Sequence, residues 1–145
     1  MLHILNEIKS RPGNEKTVIF LQFTSVLDII QSFLSREGIN YTCLDGTMNT
    51  TQRKEALNAV KMVYSTTVVL VLLMAGGTGI NLGACNNVIL FDLWWNPAIE
   101  EQAVSRAHHM GQKKAVHVYK LVTVGTVERC MLEVSVTFIS FSFRC

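Results

Sequence analysis

At 145 residues the chain has the size of one domain with a single core. Its hydrophobic fraction is 49%, its charged fraction 17% and its net charge +2, a balance that suits strands buried on both faces and carries no nucleic-acid signature of its own. The apolar runs are too short for a membrane span, residues 1–7 lack the basic head and apolar block of a signal peptide, and the cysteines at 43, 85, 130 and 145 form no CxxC pair, which argues against a zinc site and a disulfide framework. The chain reads as soluble and intracellular.

Residues 17–23 (TVIFLQF) are a continuous β-branched and aromatic run, the pattern of a strand buried on both faces. Ser25 followed by Asp28 forms a capping-box signature. Val26, Leu27, Ile29, Ile30, Phe33 and Leu34 then recur at helical spacing up to the stop at Gly38. Residues 41–44 form a second strand, ending in the turn Asp45-Gly46. A helix over 51–63 buries Ala56, Leu57 and Val60, and residues 67–73 (TVVLVLL) form a strand that runs into Ala75-Gly76-Gly77-Thr78-Gly79. Residues 87–92 make the next strand. Asn96 and Pro97 suit the N-cap and first position of a helix, with Glu100 and Glu101 complementing its dipole. Residues 115–122 close the pattern as a fifth strand, with a short helix starting near Thr126. Strands alternating with helices predict an α/β fold, a mainly parallel central sheet with helices on both faces. Such sheets bind ligands at the carboxyl ends of their strands, which directs attention to the residues that follow each strand.

Three features there carry chemistry. Gly76, Gly77 and Gly79 would let backbone amides approach a phosphate; no GK[ST] motif accompanies them, and a tight turn without a ligand explains them equally well. Trp94 and Trp95 follow the fourth strand and suit stacking on bases or entry into a groove, or else plugging of the domain's edge. On the helix from Pro97 to about Met110, Ile99, Ala103, Ala107 and Met110 share one arc, the expected buried stripe, at about 100° per residue. Gln102, Arg106 and His109 lie beside it, placed either to reach one anion or to form an ordinary solvated face. His108 and His109 lack a carboxylate or cysteine at ligand spacing, so no metal site is read.

In order, VIFLQFTSVLDII (18–30), LDGTMNTTQR (44–53), AGGTGINL (75–82), NVILFDLWWNP (87–97), EEQAVSRAHHMGQ (100–112) and VYKLVTVGTVE (118–128) resemble the second-lobe motifs of SWI/SNF-type remodelling ATPases, in helicase superfamily 2. The resemblance implies a second, C-terminal RecA-like lobe over residues 1–133, followed by an atypical apolar tail over 134–145. It implies ATP bound between two such lobes in cis. The first lobe, which holds Mg2+, is absent from these residues, so the chain is expected to hydrolyse no ATP alone. By the same resemblance Arg106 is the arginine finger on the γ-phosphate, and Gly79, Asn81, Gln102 and His109 lie on the ATP side. Thr24, Gly46, Gly76, Gly77 and Trp95 lie on the DNA side. The implied partners are double-stranded DNA and, by extension, nucleosomes; the implied compartment is the nucleus, and no membrane is involved. Three departures stand out: His109 in place of a second arginine, Leu72 and Met74 in place of a serine and a basic residue, and the tail itself. They leave room for a degenerate lobe that binds DNA or protein without hydrolysis. The equivalent lobe of an RNA helicase is a further alternative, which the Trp-Trp-Asn-Pro element disfavours.

Overall fold

The computed structural model describes residues 1–72, 80–92, 94, 96–108 and 114–121. Its elements run α1 (Leu2–Ser10), β1 (Thr17–Leu21), α2 (Thr24–Arg36), β2 (Tyr41–Leu44), α3 (Thr50–Met62), β3 (Val68–Leu72), β4 (Asn87–Leu90), α4 (Pro97–Ala107) and β5 (His117–Lys120). The five strands make one sheet in the order β2-β3-β1-β4-β5, and every pairing is parallel. This is the anticipated RecA-like α/β architecture.

Alternation along the strands sorts the core into two layers. Val18, Val69 and Val88 lie in one row across β1, β3 and β4, and Phe20, Val71 and Leu90 in another. Both rows face α3 and α4, where Val60, Ala103 and Ala107 meet them. On the opposite side Ile19, Leu70 and Ile89 pack with Leu5 of α1 and with Leu27, Ile30 and Leu34 of α2. A strand covered on both faces has no use for polar residues, hence the continuous apolar runs.

Several boundaries and faces differ from the sequence reading. β1 and β4 stop at Leu21 and Leu90 because the next row is closed by a side chain: the Gln22 N–H donates to Asp92 Oδ2 at 2.9 Å. β5 is also shorter than the predicted run. The capping box at Ser25 and Asp28 is not made. Instead the N-cap falls two residues earlier, at Phe23, which offers no side-chain oxygen. The box forms on α3, where Asn49 Oδ1 accepts from Gln52 N and Gln52 Oε1 accepts from Asn49 N. Ile29 is 68% exposed; it lies well round the helix from Leu27, Ile30 and Leu34. Helix α1 was not anticipated, and only Leu5 and Ile8 of it are fully buried.

The amino edge of the sheet is polar. Glu15 accepts from the side chains of Asn86 and Asn87 and pairs with Lys114. Burial pushes the Glu15 carboxyl up, yet the hydrogen bonds from Asn87, Asn86 and Lys114 outweigh it and hold the group below its usual range. Lys16 is buried, and its Nζ donates to the carbonyls of Val60 and Val63, closing the C-terminal end of α3.

Candidate functional site

The carboxyl ends of β1 and β2 flank β3 in the sheet. Thr24 follows β1 as the first residue of α2, and Gly46 lies in the turn that follows β2; both are exposed. Asp45 holds that turn by accepting from Thr47 N at 2.9 Å, from Thr47 Oγ1 at 2.6 Å and from Met48 N at 3.2 Å. The Thr47 hydroxyl holds the Asp45 carboxyl below its ordinary range. Positive φ among the described glycines occurs at Gly13 and Gly38, so the backbone at Gly46 does not itself demand glycine.

Helix α4 starts with Asn96 Oδ1 accepting from Ala98 N at 3.0 Å and with Pro97 in the first turn. Its buried residues are Glu100, Ala103 and Ala107. This corrects the expected stripe: Ile99 is 37% exposed, whereas Glu100 is 4% exposed. The reason is electrostatic. A carboxylate can be buried when it is paired and hydrogen-bonded, and Glu100 Oε2 meets Lys120 Nζ while Oε1 accepts from the Trp94 N–H at 3.2 Å. Trp94 itself is buried and packs in the α3–α4 layer. Neither the Lys120 contact nor inward burial of Glu100 was anticipated. The available signals were a lysine at the end of the run VHVYK and an acid three residues before Ala103.

Gln102 and Arg106 stand one turn apart on the flank of α4, Gln102 exposed and Arg106 half-buried. Neither side chain makes a hydrogen bond or ion pair among the described residues. The segment that returns from β3 meets this helix at its last turn: Leu82 N donates to Arg106 O at 3.0 Å, and Cys85 N to Leu82 O at 2.8 Å. Asn81, next to Leu82, is thereby brought to the end of α4; its Oδ1 accepts from Gly83 N at 2.9 Å. Thr24 and Gly46 do follow the carboxyl ends of strands. Arg106 belongs to the other end of its helix, because α4 runs back across the sheet and Leu82 lies just before the start of β4.

Gly76, Gly77, Gly79, Trp95, His109, Met74 and Met110, together with the predicted helix near Thr126 and the 134–145 tail, lie outside the described residues. Leu72, the last residue of β3, pairs with Leu21 and packs in the α2 layer. Among the described residues no group of three or more His, Cys, Asp or Glu side chains is placed to hold a metal ion, and no helix is long and apolar enough to cross a membrane.

Residues 1–111 match the helicase conserved C-terminal domain family. DNA repair protein RAD5A of Arabidopsis thaliana is 43% identical over 129 residues, covering 88% of this chain and 12% of that protein. DNA repair protein RAD5 of Cryptococcus neoformans is 39% identical over 135 residues, covering 92% of this chain and 11% of that protein. The Caenorhabditis elegans homolog of the SWI/SNF-related matrix-associated actin-dependent regulator of chromatin subfamily A containing DEAD/H box 1 is 43% identical over 129 residues, covering 89% and 13%. The chain therefore spans only 11–13% of these relatives' length. A crystal structure of the C-terminal part of the Fun30 ATPase domain superposes with a TM-score of 0.81 at 32% identity, covering 94% of this chain and 42% of that one.

Proposed function

The chain belongs to the helicase conserved C-terminal domain family, as the C-terminal lobe of a SWI/SNF-type superfamily 2 ATPase, and from that premise we propose that it is the second lobe of an ATP-driven translocase on double-stranded DNA. The observation that carries the reading is the bond from Leu82 N to Arg106 O. It joins Leu82, the last residue of the AGGTGINL segment, to the helix that bears Gln102 and Arg106, and so brings Asn81 to the end of that helix.

On this reading ATP lies between the chain and a first lobe that holds Mg2+. Arg106 reaches the γ-phosphate, and its planar, permanently charged fork suits the charge that develops on the transferred group. Gln102, Asn81, Gly79 and His109 line the same side. Thr24, Gly46, Gly76, Gly77 and Trp95 follow the DNA, and at Gly46 the missing Cβ serves close approach of a backbone. Such contacts go mostly to phosphate and sugar and carry little sequence information. ATP binding closes the lobes, hydrolysis reopens them, and alternating grip steps the pair along the duplex. We place this work in the nucleus, with nucleosomal DNA among the substrates. The 145 residues alone hydrolyse no ATP, because no Walker lysine or magnesium carboxylate is present in them.

His109, where the family has an arginine, favours a second reading: a degenerate lobe that binds DNA or protein without supporting hydrolysis. One experiment separates the two. DNA-stimulated ATP hydrolysis is measured for this lobe joined to an intact first lobe, unmodified and with His109→Arg. Strong stimulation of the unmodified protein supports the motor. Activity that appears only with His109→Arg supports the binding module, and stimulation by single-stranded RNA rather than duplex DNA assigns the lobe to an RNA helicase.

A further inference from the structure

The carboxylate of Glu100 is shared by three elements. Oε1 accepts from the Trp94 N–H at 3.2 Å, in the loop that follows β4. Oε2 meets Lys120 Nζ at the end of β5, and Glu100 itself is in the first turn of α4. Both side chains are nearly enclosed, at 5% exposure for Glu100 and 15% for Lys120. A buried ion pair is a weak source of stability, since apolar side chains of similar volume hold a core equally well. What apolar side chains cannot do is fix a backbone N–H in a stated direction.

The N–H so fixed belongs to Trp94, whose ring is buried in the α3–α4 layer. The next residue in the chain is Trp95, and Gln102 and Arg106 follow Glu100 on the same helix. We propose that Glu100, held in place by Lys120, is a positioning residue that ties the Trp94 backbone to α4, so that the point from which the chain continues to Trp95 is fixed relative to the helix carrying Arg106. The proposal rests on the translocase reading for the role of Trp95, and on the Trp94–Glu100–Lys120 geometry for the lock.

The test compares two double variants, each with Lys120→Met so that no ammonium is left buried without its partner. Glu100→Gln keeps an oxygen acceptor for the Trp94 N–H; Glu100→Leu removes it. The 145-residue chain contains two tryptophans, so Trp94→Phe leaves Trp95 as its only indole fluorophore. In that background Glu100→Leu increases acrylamide quenching of Trp95 and lowers its anisotropy, whereas Glu100→Gln leaves both near the parent values. With a first lobe attached, Glu100→Leu raises the duplex-DNA concentration for half-maximal ATPase stimulation about tenfold, the equivalent of one hydrogen bond. The rate at saturating DNA changes far less. Identical behaviour of the Gln and Leu variants in both measurements overturns the proposal, as does a parallel fall in Tm and saturated rate without a shift in DNA dependence. A parent two-lobe protein that DNA does not stimulate overturns the translocase reading instead, and the fluorescence of the single lobe still decides whether the lock exists.

Discussion

The amide of Leu82 donates to the carbonyl of Arg106 at 3.0 Å, and because both partners are backbone groups this bond does not depend on the side chain at position 106. Arg106 can therefore be changed without removing the bond that joins the two segments.

Arg106→Ala in the two-lobe protein should lower DNA-stimulated hydrolysis by roughly 10³–10⁵-fold, the range for an arginine finger, while shifting Tm and duplex-DNA affinity little. Arg106→Lys should recover only a small part of the rate, since lysine brings a charge but no planar fork. Steady-state ATPase assays beside a thermal melt check both statements. A large fall in Tm would show that the side chain is structural after all.

Asn49→Ala removes one half of the α3 capping box and strands the Gln52 N–H. It should cost about 1 kcal/mol of unfolding free energy. Ser25→Ala should be close to neutral, because Ser25 is exposed inside the first turn of α2 and caps nothing. Denaturant midpoints of the two variants against the parent chain distinguish a cap that is made from one that exists only as a sequence pattern.

Glu15 gives the stability a defined pH dependence. Its folded pKa lies below the ordinary 4.5, so ionised Glu15 favours the folded state, and the unfolded chain takes up the proton first as pH falls. The contribution is complete above the unfolded value and drains away as pH drops through the folded one. Glu15→Gln should lower stability at neutral pH and flatten the fall of the denaturant midpoint below about pH 5. A variant with an unchanged acid limb would contradict the sign.

Cys85 is fully buried, and burial pushes its thiol up to about 12. The reactive thiolate is then scarce as well as shielded. Alkylation at mildly basic pH should leave the peptide containing Cys85 unlabelled in the native chain and label it fully in denaturant, as read by mass spectrometry. Rapid native labelling would require an opening of the α3–α4 layer.

Much of the architecture is readable along the chain because β1, β3 and β4 are covered on both faces, and uninterrupted runs such as VIFLQF and VVLVLL have few other uses. Strand ends were less legible. Asp92 closes the row after Leu21, and a side-chain substitute for a backbone bond leaves no mark in hydropathy. Ile99 reads as part of the buried stripe of α4 but lies beside it, whereas Ile29, apolar and at helical spacing, lies well round α2 from its buried face. Glu100 went the other way: twenty residues separate it from Lys120, and no local pattern announces that the two meet. For the candidate site, spacing alone set Gln102 and Arg106 on one flank, but only the fold brings Asn81 to that helix, through a hydrogen bond spanning residues 82 and 106.

The sheet order has a kinetic consequence. β1 is synthesised first yet sits between β3 and β4, so when it leaves the ribosome neither of its final neighbours exists. β2, the next strand made, joins the sheet through β3 and offers β1 no edge at all. Parallel pairing at such sequence separation is slow, since loop-closure entropy is lost before any contact repays it. This largely apolar strand must therefore wait with both edges open until β3 has been made, and with one edge open until translation has passed Leu90, and in that interval it is the segment a chaperone would need to cover.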